Sequence, residues 1–253
     1  MRLCTVKQAR VRELLDSYPR RRSPLTKAHE RRYLLDYRQN REGCTAATSI
    51  AQRMERWMHR KVAAQGRKGD ALLELGAGTL NHVRYEHGYV RYDFVEPFTE
   101  LWQGSGRRGQ LSDAYLDTFE IPEHVRYDRV LSIAVLEHLT ELPAILARCG
   151  QLLNPEGLFQ AGIPSEGGFL WGAAWRLATG IAYRMRTGLE YGTLMRHEHV
   201  NAADEIVLLA RHFFSDVRIA RFPTPLLHLS FYTYIEARHP ALAACRDYLG
   251  RRE

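Results

Sequence analysis

Residues 71–97, ALLELGAGTLNHVRYEHGYVRYDFVEP, constrain the fold of this 253-residue chain more than any other stretch. Two short apolar runs, ALLEL and YDFVEP, read as strands and flank a glycine turn, Gly76-Ala77-Gly78. At such a turn the missing side chains let the backbone come close to whatever lies beyond the strand. An acid, Glu96, closes the second run 18 residues after Gly78.

From Ala71 onward the same rhythm repeats. RVLSIAV, GLFQAGIP, DVRIARF and HLSFYTYIEA are further apolar runs, and between them lie LPAILARCGQLLNPEG, a helix stopped by Asn154-Pro155 and Gly157, and AADEIVLLARHFF. Strand–helix alternation predicts an α/β fold with a mostly parallel sheet and helices on both faces. The last two strands have only a short connection, which predicts an antiparallel pair at the sheet edge, because parallel neighbours need a long crossover. One segment breaks the rhythm: the residues at about 164–200 form an insertion too long to be an idle loop.

The first 68 residues have a different character. Apolar positions at helical spacing in RRYLLDYRQN and in ATSIAQRMERWMHRKVAAQG (Ile50, Met54, Trp57, Met58, Val62) predict helices, with SYPRRRSP as a loop before them. We therefore divide the chain into a helical, basic extension, 1–68, and a main domain, 69–253. Through Lys68 there are 18 Lys and Arg against 6 Asp and Glu, a net +12, and the remainder carries −5. Such an arm suits nucleic acid, anionic lipid or a phosphorylated substrate, or is simply an arginine-rich solvated face, since only four of the 36 basic residues are Lys. The four cysteines, Cys4, Cys44, Cys149 and Cys245, form no CxxC pair, so neither a zinc knuckle nor a disulfide framework is expected. No apolar run reaches the ~20 residues of a membrane span, and the N-terminus lacks the apolar core of a secretory signal. A cytoplasmic location is the expectation.

The glycine turn excludes two common ligands by what it lacks. There is no GxxxxGK[ST], and the last position of GxGxxG is occupied by Asn81. A nucleoside site without pyrophosphate needs only the tight turn and a later acid for the ribose hydroxyls, which Glu96 supplies.

At this point the chain resembles the class I S-adenosylmethionine-dependent methyltransferases of the small-molecule and glycan type, from about Ala71 to Arg238. LLELGAGT resembles their first motif. The resemblance implies a Rossmann-like, seven-stranded sheet with an antiparallel edge strand, and S-adenosylmethionine as cofactor. It implies Glu74, Gly76, Ala77 and Gly78 at the methionine part, Glu96 with Pro97 at the ribose, Asp113 and Ala114 (from LSDAYLD) at the adenine, and Ser132 and Ile133 at the exit of the fourth strand. Leu80 stands where the family has a third glycine, and NHVRYEHGY shows little helical period. A short or distorted helix is expected there, with Asn81 and His82 lining the methionine end.

The fourth-strand exit, SIAVLEHL, lacks the [DN]PP[FY] of amino methyltransferases acting on nucleic acid, and no cysteine suits cytosine-C5 chemistry. VLEHL resembles small-molecule enzymes, including quinone O-methyltransferases. Their third metal-holding Glu corresponds here to Ala134, so no metal is expected, and His138 is assigned to substrate contact. A hydroxyl acceptor benefits from a base with a pKa near neutrality. MRHEHVN at the end of the insertion provides His199 as first choice, His197 as second and Glu198 as an orienting carboxylate, with Arg196 beside them. Trp171, Trp175 and Tyr191 are assigned to the acceptor. The insertion is read as a lid that covers the pocket, and as a helix with Trp and Arg it also suits a membrane surface, which would place the protein at the inner face of a membrane. The expected function is methylation of a hydroxyl on a small molecule or glycan, including lipid-linked sugars of polysaccharide biosynthesis. The alternative is an RNA methyltransferase that grips through the basic arm, although nucleic acid is not the favoured partner. No feature speaks to oligomeric state.

Overall fold

In the computed structural model, which describes residues 2–32 and 49–251, the expected apolar runs form one sheet. Its strands are β1 (Ala71–Leu75), β2 (Arg91–Val95), β3 (Ala114–Tyr115), β4 (Tyr127–Ile133), β5 (Leu153–Pro164), β6 (Phe214–Pro223) and β7 (Ser230–Pro240). The helices are α1 (Arg2–Asp16), α2 (Ser49–Ala63), α3 (Leu142–Leu152), α4 (Phe169–Ala174), α5 (Ile181–Thr187), α6 (Tyr191–Glu198), α7 (Ala203–Phe213) and α8 (Leu242–Gly250). A π-helical segment, Trp175–Gly180, joins α4 to α5. Residues 33–40 of RRYLLDYRQN, and Cys44, lie outside the described residues.

The spatial order is β3-β2-β1-β4-β5-β7-β6. β1 to β5 run parallel, and β7 is antiparallel to both β5 and β6. The expected antiparallel pair thus closes the sheet, with the reversed strand one position in from the rim and β6 as the rim itself. The strand order turns back between β1 and β4, and the crevice beyond the carboxyl ends at such a point is where open α/β sheets hold ligands. Register makes the crevice specific: Leu75 lies opposite Val95, so Gly76 and Glu96 leave the sheet at the same end.

The core explains why the runs became strands. On one face α3, α7 and α8 pack Leu146, Ile206, Leu209 and Phe213 against Leu73, Val130, Phe159 and Ile235, all fully buried. Each such side chain contributes about 1.5–3 kcal/mol. Leu14 of α1 joins this face. On the other face, α2 buries Met58 and Val62. Leu72, Leu80, Val83, Tyr92 and Phe94 form a second cluster beside short 3-10 turns. The distorted helix expected after the glycine turn is a single 3-10 turn, Val83–Tyr85. Leu80 is the physical cause: it is fully buried at φ +61°, a left-handed conformation that costs an L-residue roughly 1–2 kcal/mol and interrupts any helix there.

Two polar devices fasten the N-terminal residues to this sheet. The carbonyl of Val62, at the end of α2, accepts from Arg129 Nη2 (2.9 Å) and Gln160 Nε2 (3.0 Å). Arg129 also forks onto Glu86 at 2.8 and 2.9 Å, and His82 Nε2 meets the same carboxylate at 3.0 Å. Burial alone would raise Glu86, but the His82 and Arg129 hydrogen bonds and the guanidinium charge hold it down at about 2. The second device is the basic loop. Tyr18 donates to Asn201 Oδ1 (2.6 Å), and Arg20 makes two bonds to Glu205 (2.7 and 2.8 Å). Arg22 donates to the carbonyls of His138 and His197, each at 3.0 Å. Two of the three consecutive arginines therefore bind this chain itself.

Candidate active site

A cavity of about 500 Å³ opens beyond β1 and β4, roofed by the insertion. Its lining includes Glu74, Gly76, Ala77, Gly78, Asn81, His82, Ile133, His138, Trp171, Trp175, Tyr191 and His199, twelve of the residues singled out from sequence.

The glycine turn is shaped by two different needs. Gly76 sits at φ +64°, and a Cβ there would fall 2.4 Å from Val135 Cγ2, so only hydrogen fits. Gly78 sits at φ +51° with nothing within 4 Å of a Cβ, so the backbone faces open space. Its N–H donates to Glu96 Oε2 (2.9 Å), and the Phe98 N–H donates to Oε1 (3.0 Å). Glu96 thus sits locked beside the turn, next to the exposed Pro97. Glu74 is buried under the turn, where burial pushes its pKa up to about 8 against the hydrogen bond from Tyr92 (2.7 Å).

The insertion forms α4 to α6, and helical geometry selects among its polar residues. Met195 and His199 are four residues apart, one turn, and both line the cavity. Arg196, His197 and Glu198 rotate away from it. Arg196 is exposed, and His197 Nδ1 bonds the carbonyl of Ser23 (2.7 Å). Glu198 faces Arg22 at 3.8 Å and His138 at 3.5 Å. The carboxylate at hydrogen-bond distance from His199 is Glu166, just beyond β5, and not Glu198. Its Oε2 lies 2.9 Å from His199 Nδ1 and accepts from Trp171 Nε1 at 2.6 Å. Burial opposes the charge on Glu166, yet these two donors bring its pKa below the usual carboxylate value. An ionised Glu166 fixes the proton on Nδ1 and leaves Nε2 of His199 with a free lone pair.

Other assignments need correction. Asp113 does not reach the crevice: it precedes β3, is largely exposed, and pairs with Arg91 (3.2 Å) at the first position of β2, the opposite end from Glu96. Ala114 packs against the cluster of Tyr92 and Phe94. Ser132 alternates away from Ile133, and its buried Oγ has no hydrogen-bond partner. His82 touches the cavity, but both nitrogens are engaged, Nε2 with Glu86 and Nδ1 with His59 Nδ1 (2.9 Å). Burial lowers its pKa, so it stays neutral: Nε2–H donates to Glu86 and Nδ1 accepts from His59.

Several lining residues were not assigned to the site from sequence: Met58 and His59 from α2, Tyr232 from β7, and Glu137. Glu137 is fully buried, its Oε2 has no partner, and burial pushes its pKa up to about 7. Its backbone carbonyl receives Val200 N–H (2.9 Å) and Asn201 N–H (3.1 Å), tying the insertion's end to β4. His138 Nδ1 donates to the carbonyl of Glu198 (2.9 Å). A carboxylate immediately after a strand that ends in GIP was the one available signal for Glu166. Nothing local marked His59 or Tyr232. Among the described residues no three His, Cys, Asp or Glu side chains are grouped to hold a metal ion.

A glycine turn with a buried acid beside it and a mostly parallel sheet closed by one reversed strand make a Rossmann-like fold. No protein-family model matches the chain, and no curated protein matches it in sequence. Solved structures do match. N-methyltransferase NodS from Bradyrhizobium japonicum WM9, in complex with S-adenosyl-L-homocysteine, has a TM-score of 0.52 at 14% identity, over 77% of this chain and 90% of that one. The 1,6-didemethyltoxoflavin-N1-methyltransferase of Burkholderia thailandensis, with 1,6-didemethyltoxoflavin and S-adenosylhomocysteine bound, has a TM-score of 0.52 at 21% identity, over 86% of this chain and 92% of that one. CurJ carbon methyltransferase reaches 0.53 at 20% identity, over 76% of this chain and 56% of that one. At these identities the likeness establishes the fold.

Proposed function

We propose that this protein transfers a methyl group from S-adenosylmethionine to a hydroxyl of a small molecule or glycan, with His199 as the base. The reading rests on one observation: a single crevice is lined at one side by the Gly76–Gly78 turn, whose Gly78 N–H holds Glu96, and at the other by His199, whose Nδ1 is held by Glu166.

The residues present fit the cofactor. Each oxygen of Glu96 accepts one backbone N–H, which leaves a lone pair on each for the ribose hydroxyls. The open space beyond Gly78 admits the aminoacyl chain against bare backbone. When bound, the cofactor supplies a methyl carbon made electrophilic by a positively charged sulfur. Trp171, Trp175, Tyr191 and Tyr232 offer flat faces to a sugar or aromatic ring and hold the acceptor hydroxyl in line, and such positioning alone is worth ~7 kcal/mol or more. Nε2 of His199 would accept the proton that the acceptor hydroxyl gives up in the transfer. Glu166 stabilises the imidazolium that results.

The glycan assignment, and a sugar carried on a lipid within it, is supported by these aromatic faces and by the likeness of LEYGTLMRHEHVN to methyltransferases of polysaccharide synthesis. The RNA reading has less support. Arg20 and Arg22 are occupied within the chain, and among the described residues no Lys or Arg lines the cavity to receive a phosphate. The test is incubation with methyl-labelled cofactor and fractionated cell extract. Label entering glycan or small molecules, and lost with His199→Ala, is expected. Label in RNA, or in no fraction, overturns the proposal.

A further inference from the structure

The first half of the insertion has two sides. Trp171, Trp175 and Thr179, at four-residue spacing, line the cavity. The other side turns Phe169, Leu177, Ile181 and Met185 outward, at 71%, 70%, 50% and 84% exposure. Steps of eight, four and four residues keep these on one side of a helix. The turn Leu227–Leu229 lies against the start of this helix, where the Leu227 carbonyl crowds Gly168, and it extends the surface with Leu226 (61%) and Leu229 (46%). Isolated exposed apolar side chains need no explanation, but a continuous set of six does.

The helical segment itself carries charge of one sign, and Glu190 stands just past its end. Residues 169–189 contain Arg176, Arg184 and Arg186 and no Asp or Glu. All three arginines are exposed. Arg176 stacks over Trp175 at 4.3 Å, and Arg184 pairs with Glu190 at 3.0 Å, both largely exposed and so weakly held. Apolar residues bordered by arginine, on a helix that caps a cavity, suit the boundary between acyl chains and anionic headgroups. A second copy of the chain would set arginine against arginine. No helix among the described residues is long and apolar enough to cross a membrane, so the contact must be interfacial.

We propose that the outer face of the α4–α5 helix is a docking surface for an anionic lipid bilayer, with Phe169, Leu177, Ile181 and Met185 entering the headgroup boundary and the arginines at the phosphates. The cavity roofed by the same helix then lies beside the bilayer, where an acceptor with a lipid tail would be found. This inference goes beyond methyl transfer and does not depend on it.

Flotation of the full chain with vesicles of phosphatidylcholine and phosphatidylglycerol, against phosphatidylcholine alone, tests it. Binding to the mixed vesicles, at least tenfold tighter than to the neutral ones, is expected, since each arginine near such a surface contributes roughly fivefold. Leu177→Glu with Met185→Glu, both outward-facing, should keep the thermal midpoint and reduce binding at least tenfold. Absence of binding by the wild-type chain overturns the proposal. So does binding unchanged in the double variant, which would place the contact on the N-terminal arginines. A concentration-dependent dimer in sedimentation, abolished by the same substitutions, would assign the face to a second copy instead.

Discussion

His199 Nδ1 lies 2.9 Å from Glu166 Oε2, although 33 residues separate the two in sequence. The bond places the imidazole proton on Nδ1, and in the proposed reaction Nε2 faces the acceptor. His199→Ala should lower kcat by about 10²–10⁴-fold, the usual worth of a positioned base. Its Kd for S-adenosylhomocysteine by calorimetry should not change. Glu166→Gln should give a smaller loss of kcat, again without effect on cofactor affinity. Full activity in His199→Ala would falsify its role as base, and Glu198→Gln should be nearly silent because that carboxylate faces Arg22 and His138 instead.

Glu96 is held by two backbone N–H groups, and in the proposed complex its remaining lone pairs take the ribose hydroxyls. Hydrogen bonds to a charged group are worth about 1.5–3 kcal/mol, so Glu96→Ala should weaken S-adenosylmethionine binding by about 10–100-fold. Unchanged affinity would remove the ribose assignment. Asp113→Ala, which removes a largely exposed side chain turned toward Arg91 at the start of β2, should leave affinity intact.

The two glycines of the turn should respond differently to the same substitution. Gly76→Ala drives a methyl group to 2.4 Å from Val135 and should lower the thermal midpoint markedly. Gly78→Ala meets no atom and adds only left-handed backbone strain of roughly 1–2 kcal/mol. Its larger effect should be on cofactor affinity, since the methyl would enter the open space. Equal midpoints for the two variants would contradict this geometry.

The basic loop predicts a contrast between neighbours. Arg20→Ala breaks the paired bonds to Glu205, which is about half-buried, and should cost about 1–2 kcal/mol. For a chain of this size that is about 2–4 °C in Tm per kcal/mol. Arg21 is exposed, and Arg21→Ala should not move Tm. If Arg20→Ala behaves like Arg21→Ala, the loop does not fasten the insertion.

Glu74 gives a pH dependence with a definite sign. Its folded pKa, about 8, lies above the ordinary 4.5, so the folded chain keeps a proton that the unfolded chain has released. The stability from this neutral acid is fully present below pH 4.5 and is lost as pH rises through about 8. Glu137, raised to about 7, adds a loss centred slightly lower. His82, whose folded pKa is lowered, stays neutral above pH 6.5 in both states and contributes no slope there. Tm of the unliganded protein should therefore fall by a few degrees between pH 6.5 and 8.5, and Glu74→Gln should flatten the profile. A flat wild-type profile would refute the buried neutral acid.

Much of the fold was legible because its signals are local. ALLEL, YDFVEP, RVLSIAV and GLFQAGIP announce strands by composition, and SYPRRRSP announces a loop. The turn glycines and Glu96 were legible because backbone approach and strand exit are fixed within a few residues. MRHEHVN placed His199 ahead of His197, and only the register of α6 showed that His199 lines the cavity while His197 turns to Ser23. Asp113 was misplaced because β3 is two residues long, and a sequence pattern cannot locate so short a strand to within one position.

The sequence by itself determined which segments bury, where the chain turns sharply and which acid stands at the end of β2, because burial and backbone freedom are properties of single residues and their near neighbours. Only the tertiary structure decided that Glu166 serves His199, that α2 contributes His59 to the cavity, and that Arg20 and Arg22 fasten the chain to itself. Those outcomes depend on which side chains meet across the sheet, and distances of a few ångströms between residues tens to hundreds of positions apart leave no mark on local composition.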